Sequence, residues 1–136
     1  MTNNDAVNNP SHYANNNIFP GECIDYACQL NGIDFNSFKY VWRHLDKEKP
    51  LQDLDKALWY VQYSIDNDDK NKYKKSSPSV KTIDFLEKEV YNDTRHNKKE
   101  YYDIILRRTL LNIFKGEHVE AKNNINELKR LYTHNM

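Results

Sequence analysis

Glycine is scarce in this chain: Gly21, Gly32 and Gly116 are the 3 among 136 residues. None sits in a G-x-x-x-x-G-K-[ST] or G-x-G-x-x-G pattern, so neither a phosphate-cradling P-loop nor a Rossmann dinucleotide turn can be built. Cysteine is scarcer still. Cys23 and Cys28 fall on one expected helix, where they cannot readily meet in a disulfide, and no CxxC pair or His partner suggests zinc. A reducing, cytoplasmic compartment is the simplest expectation. No apolar run approaches the roughly 20 residues needed to cross a bilayer, and the N-terminus lacks a signal peptide's apolar region, so no membrane association is expected. Net charge is missing as well, with 20 Lys and Arg against 20 Asp and Glu. It is unevenly spread: residues 1–66 carry 5 cations and 9 anions, and residues 67–136 carry 15 and 11. That asymmetry can hold the halves or paired subunits together, but it is too mild for a duplex DNA binder.

What the chain does have is helical periodicity. Alternating strand patterns are missing throughout, and the expectation is an all-α protein of about five or six helices. Glu22–Leu30 reads as a short helix ended by Asn31-Gly32. In Asp34–Leu45 the apolar stripe is Phe35, Phe38, Val41, Trp42 and Leu45, with Asp34 as N-cap. Pro50 opens the next helix, whose stripe is Leu51, Leu54, Leu58, Val61 and Ile65. Residues 67–79 read as a polar linker with a lone Tyr73, separating a 1–66 region from a helical segment over 80–136. In that segment Ser79 and Asn97 are the expected caps, and Ile83, Leu86 and Val90 form a narrow stripe. Tyr101, Ile104, Ile105, Leu106, Leu110, Leu111 and Phe114 form a rich one. Gly116 is the break, and Val119, Ala121, Ile125, Leu128 and Leu131 point inward from the last helix. The last two helices form an antiparallel hairpin.

The residues left over after the core is assigned carry the functional signal. Lys39 and Arg43 stand one turn apart beside the first stripe, a pairing suited to phosphate oxygens as well as to a solvated flank. Arg43→Ala should then cost little stability, because the residue lies off the stripe. Lys56, Trp59, Tyr60 and Tyr63 lie away from the second stripe, with Asp53 beside Tyr60. Such a face is either buried against a partner or stacks on a base. Glu22 and Asp25 share a face, as carboxylates holding magnesium would, although an acidic first turn is also ordinary helix-dipole compensation. His12, in the Asn-rich N-terminal segment, has no obvious packing duty. His44, His96, His118 and His134 show no metal-ligand spacing and are expected on the surface. Trp59, Tyr60, Tyr63 and the rich 101–114 stripe together suggest a homo-oligomer.

Four ordered blocks carry a family resemblance. They are Pro10-Ser11-His12-Tyr13, Gly21-Glu22-Cys23-Ile24-Asp25, Lys39-Tyr40-Val41-Trp42-Arg43, and Asp53-Leu54-Asp55-Lys56-Ala57-Leu58-Trp59-Tyr60. Over about residues 8–66 the chain resembles the tailed-phage SaV-like family, proteins of unknown function often labelled nucleotide kinases. The resemblance implies a phage protein in the infected cell's cytoplasm, binding a nucleotide as a phosphotransferase that lacks a P-loop and resembles a nucleoside-monophosphate kinase, with Mg2+ if it is catalytic, and assembling into an oligomer. It implies catalytic roles for Glu22, Asp25 and Asp53 and nucleotide contacts from His12, Tyr13, Lys39, Arg43 and Lys56; Ser11, Tyr40, Trp59 and Tyr60, in the same blocks, are further candidates for nucleotide contacts. One departure stands out: Gln52 occupies the position before Asp53 where the family has an acid. That change favours the alternative of a non-catalytic nucleotide sponge acting against host defence. A helical interaction module is a third reading, which leaves His12 and Lys39 unexplained.

Overall fold

The structure is a computed structural model that describes residues 18–46, 48–70, 72–92 and 98–135. Its described residues form six α-helices and no strand, as the periodicity requires. These are α1 (Cys23–Ala27), α2 (Gly32–Arg43), α3 (Pro50–Asp66), α4 (Val80–Tyr91), α5 (Lys98–Lys115) and α6 (His118–Asn135), with a 3-10 turn at His44–Asp46. No helix among them is long and apolar enough to cross a membrane.

Helices α2 and α3 form one antiparallel hairpin and α5 and α6 another. The two hairpins pack face to face, α2 on α5 and α3 on α6, while α4 lies against α5. The seam is filled by Phe38, Val41, Leu54, Ala57 and Val61 from the first hairpin and by Leu110, Phe114, Ile125 and Leu128 from the second. Phe38 is its centre, with ring centroids 5.8 Å from Trp42, 6.5 Å from Tyr26 and 6.1 Å from Phe114. Ile18 and Phe19 close one end of this core, Phe19 against Tyr26 and Trp42.

Helix punctuation follows the sequence in three places. Pro50 is at the first turn of α3, Ser79 caps α4 through the N–H of Thr82, and Gly116 turns the α5–α6 corner with φ +78°. It departs from expectation at the start of α2. Asn31, not Asp34, is the cap, its side chain accepting the Asp34 N–H at 2.7 Å, and Gly32 opens α2 instead of ending α1. The cause lies in Asp34, whose carboxylate is 2 % exposed and engaged elsewhere. It accepts the Ser76 hydroxyl at 2.6 Å and meets His118 Nε2 at 2.8 Å. Ser76 Oγ in turn accepts the Asn31 N–H at 2.8 Å, and Asn31 Nδ2 donates to the Lys74 carbonyl at 3.0 Å. The polar stretch after α3 is thereby tied to the first turn of α2 and to α6. The expected Asn97 cap lies outside the described residues.

Several stripe positions are also corrected. Leu51, Tyr101 and Val119 are exposed, whereas Tyr102 and Ile113 are buried. Helix α5 is apolar on most sides because α2, α4 and α6 all cover it. Its surplus of apolar residues is therefore spent inside the chain and gives no independent argument for an oligomer.

Of the histidines expected on the surface, one is inside and one is partly buried. His44 is fully buried at the C-terminal end of α2, its Nδ1 2.6 Å from the Val41 carbonyl and its Nε2 2.7 Å from the Tyr102 hydroxyl. With the Val41 carbonyl able only to accept, Nδ1 carries the proton and Nε2 accepts from Tyr102. Burial holds this imidazole neutral and pushes its pKa down to about 4. His118 is half-buried by its contact with Asp34. His134 is exposed as expected, and His96 lies outside the described residues.

Candidate functional site

The outer face of the α2/α3 hairpin collects most of the residues singled out from the sequence. Antiparallel packing brings residue 40 opposite 60 and residue 43 opposite 53, so spacings on two separate helices converge into one cluster. Tyr40 and Tyr60 stack at 6.2 Å with planes 16° apart. Three cations surround the Tyr40 ring: Arg43 with its guanidinium carbon at 4.7 Å, Lys39 Nζ at 4.9 Å and Lys56 Nζ at 5.5 Å from the centroid. Cation–π attraction holds such groups over the ring without neutralising them.

A single carboxylate answers the three cations. Asp53 is buried, and its Oδ2 stands 3.8 Å from Arg43 Nε, within ion-pair range but too far for a hydrogen bond. Both atoms are buried without a hydrogen-bond partner. The cluster therefore keeps a net positive charge, and neither lysine is paired with a carboxylate among the described residues. The half-buried Cys23 feels the same field: Lys39 and Arg43 lower its thiol pKa, but desolvation outweighs them and pushes it up to about 12. That thiol is inert at neutral pH.

Beyond Tyr60 the seam opens into a groove of about 470 Å³ lined by Asn31, Gly32, Ile33, Asn36, Tyr73 and Lys74 as well as Tyr60 itself. Tyr60 thus belongs both to the cationic cluster and to this groove. Trp59 lies on the outer side, 61 % exposed, edge-on to Tyr60 at 5.1 Å and stacked on Tyr63 at 5.7 Å. No periodic pattern in the sequence marks this groove. Ile33 and Asn36 precede Lys39 and Tyr40 by about two turns and one turn on the same side of α2, and Tyr73 is the lone aromatic of a polar stretch; those were the available signals.

Glu22 and Asp25 sit at the start of α1, where Asp25 accepts the Glu22 backbone N–H at 2.8 Å. Gly21 makes that turn possible, with φ +96° and Asp25 Oδ2 only 2.9 Å from where a Cβ would stand. The two residues cap a five-residue helix. They fit a magnesium site poorly, because one Asp25 oxygen is already committed and no group of three His, Cys, Asp or Glu side chains among the described residues comes together to hold a metal. Ser11, His12 and Tyr13 lie outside the described residues.

No curated protein and no solved structure matches the chain. Residues 7–62, a span that takes in α1, α2 and most of α3, match the model of a family described as a protein of unknown function (DUF3310).

Proposed function

We propose that the outer seam of α2 and α3 binds a nucleotide. The observation that carries this reading is the three cations gathered over Tyr40 against one carboxylate, beside an aromatic-lined groove. A phosphate at Lys39, Arg43 and Lys56 would satisfy a charge the protein leaves uncompensated, Arg43 offering a planar fork and the lysines point charges. A base in the groove would lie against Ile33, Tyr60 and Tyr73, within reach of the amides of Asn31 and Asn36. Asp53 holds Arg43 in place from the buried side.

Binding alone is better supported than phosphoryl transfer. The resemblance to phage proteins labelled nucleotide kinases suggests a nucleoside-monophosphate kinase, for which Glu22, Asp25 and Asp53 would be the acid–base or metal groups. Here Asp25 caps α1, Asp53 faces Arg43, and Gln52 is exposed where a second acid would stand. A sponge that sequesters a nucleotide in an infected cell needs only the cationic cluster and the groove. The two readings part in one assay. Incubated with a nucleoside monophosphate, radiolabelled ATP and magnesium, the protein should retain nucleotide on gel filtration and form no labelled diphosphate. Diphosphate formed at a rate that falls in Asp53→Asn would establish the kinase instead.

A further inference from the structure

The aromatic residues on this face extend past what one nucleotide can cover. From Tyr40 the row runs to Tyr60 at 6.2 Å, Trp59 at 5.1 Å, Tyr63 at 5.7 Å and Tyr73 at 6.1 Å, each step a ring contact. One end carries Lys39, Arg43 and Lys56. At the other end, the segment that supplies Tyr73 also supplies Lys70, Lys72 and Lys74, all exposed and in no ion pair among the described residues. A mononucleotide with its base in the groove accounts for Tyr60, Tyr73 and Lys74 but leaves Trp59, Tyr63, Lys70 and Lys72 without a role.

We infer that this row binds single-stranded nucleic acid, with successive bases against Tyr60, Trp59 and Tyr63 and phosphates on the lysines at both ends. The inference rests on the nucleotide reading, since the first phosphate occupies the same cluster. Base–aromatic stacking tolerates any sequence, because every base has a π-face. Trp59 offers the most open ring: Tyr63 stacks on it and Tyr60 meets it edge-on, yet the residue is still 61 % exposed. A duplex hides its bases and would meet only the charges. Those are tempered on this side by Asp69 and by Asp66, which accepts the Gln62 amide at 2.8 Å, while Asp68 is engaged by Lys75 at 3.0 Å. Stacking adds to charge for a single strand alone, and with phosphates on the cations at both ends its binding should weaken markedly with salt.

The test is fluorescence anisotropy with labelled mixed-sequence 12-nucleotide DNA and RNA single strands, a DNA duplex of the same sequence, and competition by each nucleoside monophosphate. At least one single strand should bind ten-fold or more tighter than any monophosphate and than the duplex, quenching Trp59 emission while the buried Trp42 serves as the internal reference. Trp59→Ala, an exposed position whose folding is checked by circular dichroism, should weaken the strand about 5- to 150-fold, as loss of one stacked base does. Lys70→Ala/Lys72→Ala should weaken the strand and leave monophosphate binding unchanged. A preference for DNA over RNA, or the reverse, tells which strand is the natural one. If monophosphates bind and depend on Lys56 while neither strand binds tighter, this inference fails and the nucleotide reading stands. If neither strands nor monophosphates bind, both fail.

Discussion

Acidification should destabilise this protein through one buried histidine. His44 is an ordinary imidazole in the unfolded chain, with a pKa of 6.5, and in the fold burial lowers it to about 4. The unfolded state therefore takes up a proton as pH drops below 6.5, while the folded state resists until about 4. The contribution of neutral His44 is fully present above 6.5 and is lost as pH falls toward the folded value. Linkage puts the loss at about 2 kcal/mol by pH 5 and about 3 kcal/mol by pH 4. Against a net stability on the order of 5–15 kcal/mol, that is a large share. Protonation also turns Nε2 into a donor facing the Tyr102 hydroxyl, so the hydrogen bond survives only if Tyr102 rotates to accept. The assay is urea unfolding at pH 7, 6 and 5 on the wild type and on His44→Gln, which cannot titrate. His44→Gln should be less stable at pH 7, and the gap should narrow by about 2 kcal/mol at pH 5. Curves that fall in parallel would show that His44 is not held neutral by the fold, and the burial argument would be wrong.

Arg43→Ala leaves the buried Asp53 carboxylate without a counter-charge and should cost on the order of 1–3 kcal/mol in chemical denaturation, contrary to what its place off the apolar stripe implies. The double variant Arg43→Met/Asp53→Leu should recover most of that loss, and a double variant no more stable than the single would contradict it. Gly21→Ala combines a positive φ with a contact of 2.9 Å to Asp25, whereas Gly116→Ala meets only the positive φ with nothing within 4 Å. Thermal melts should show both destabilised, Gly116→Ala by about 1–2 kcal/mol and Gly21→Ala by more; equal losses would show that Asp25 moves freely aside.

The parts of this molecule that were legible in the sequence are those governed by local spacing. Phe38, Val41 and Trp42, and Leu54 and Val61, recur at helical intervals, and Pro50, Ser79 and Gly116 punctuate the helices through backbone chemistry of their own. The cationic cluster was legible for the same reason: Lys39 and Arg43 share one side of a helix, Lys56 and Tyr60 share another, and a short connection makes the two helices antiparallel neighbours. The groove depends on Tyr73 and Lys74 folding back onto Asn31, which is a matter of hydrogen bonds spanning more than 40 residues and leaves no periodic trace. His44 was misplaced because its partner Tyr102 is 58 residues away and a single polar residue at a helix end carries no pattern. Asp34 and Asn31 can cap α2 equally well as far as sequence goes, and only the approach of Ser76 and His118 to Asp34 decides between them.

The central claim is that Lys39, Arg43 and Lys56 form a phosphate site, and Lys56 tests it most cleanly. Its side chain is exposed and has no carboxylate partner among the described residues, so Lys56→Ala removes charge from the cluster without stranding a buried group. Isothermal titration of nucleoside mono- and diphosphates into wild type and Lys56→Ala, with thermal melts alongside, separates binding from folding. The account predicts that a nucleotide binds the wild type, that the unphosphorylated nucleoside binds far more weakly, and that Lys56→Ala loses roughly 10- to 150-fold in affinity at unchanged melting temperature, the scale of one charged hydrogen bond. Equal affinity for nucleotide in wild type and Lys56→Ala, or equal affinity for nucleotide and nucleoside, would place the phosphate elsewhere and contradict it.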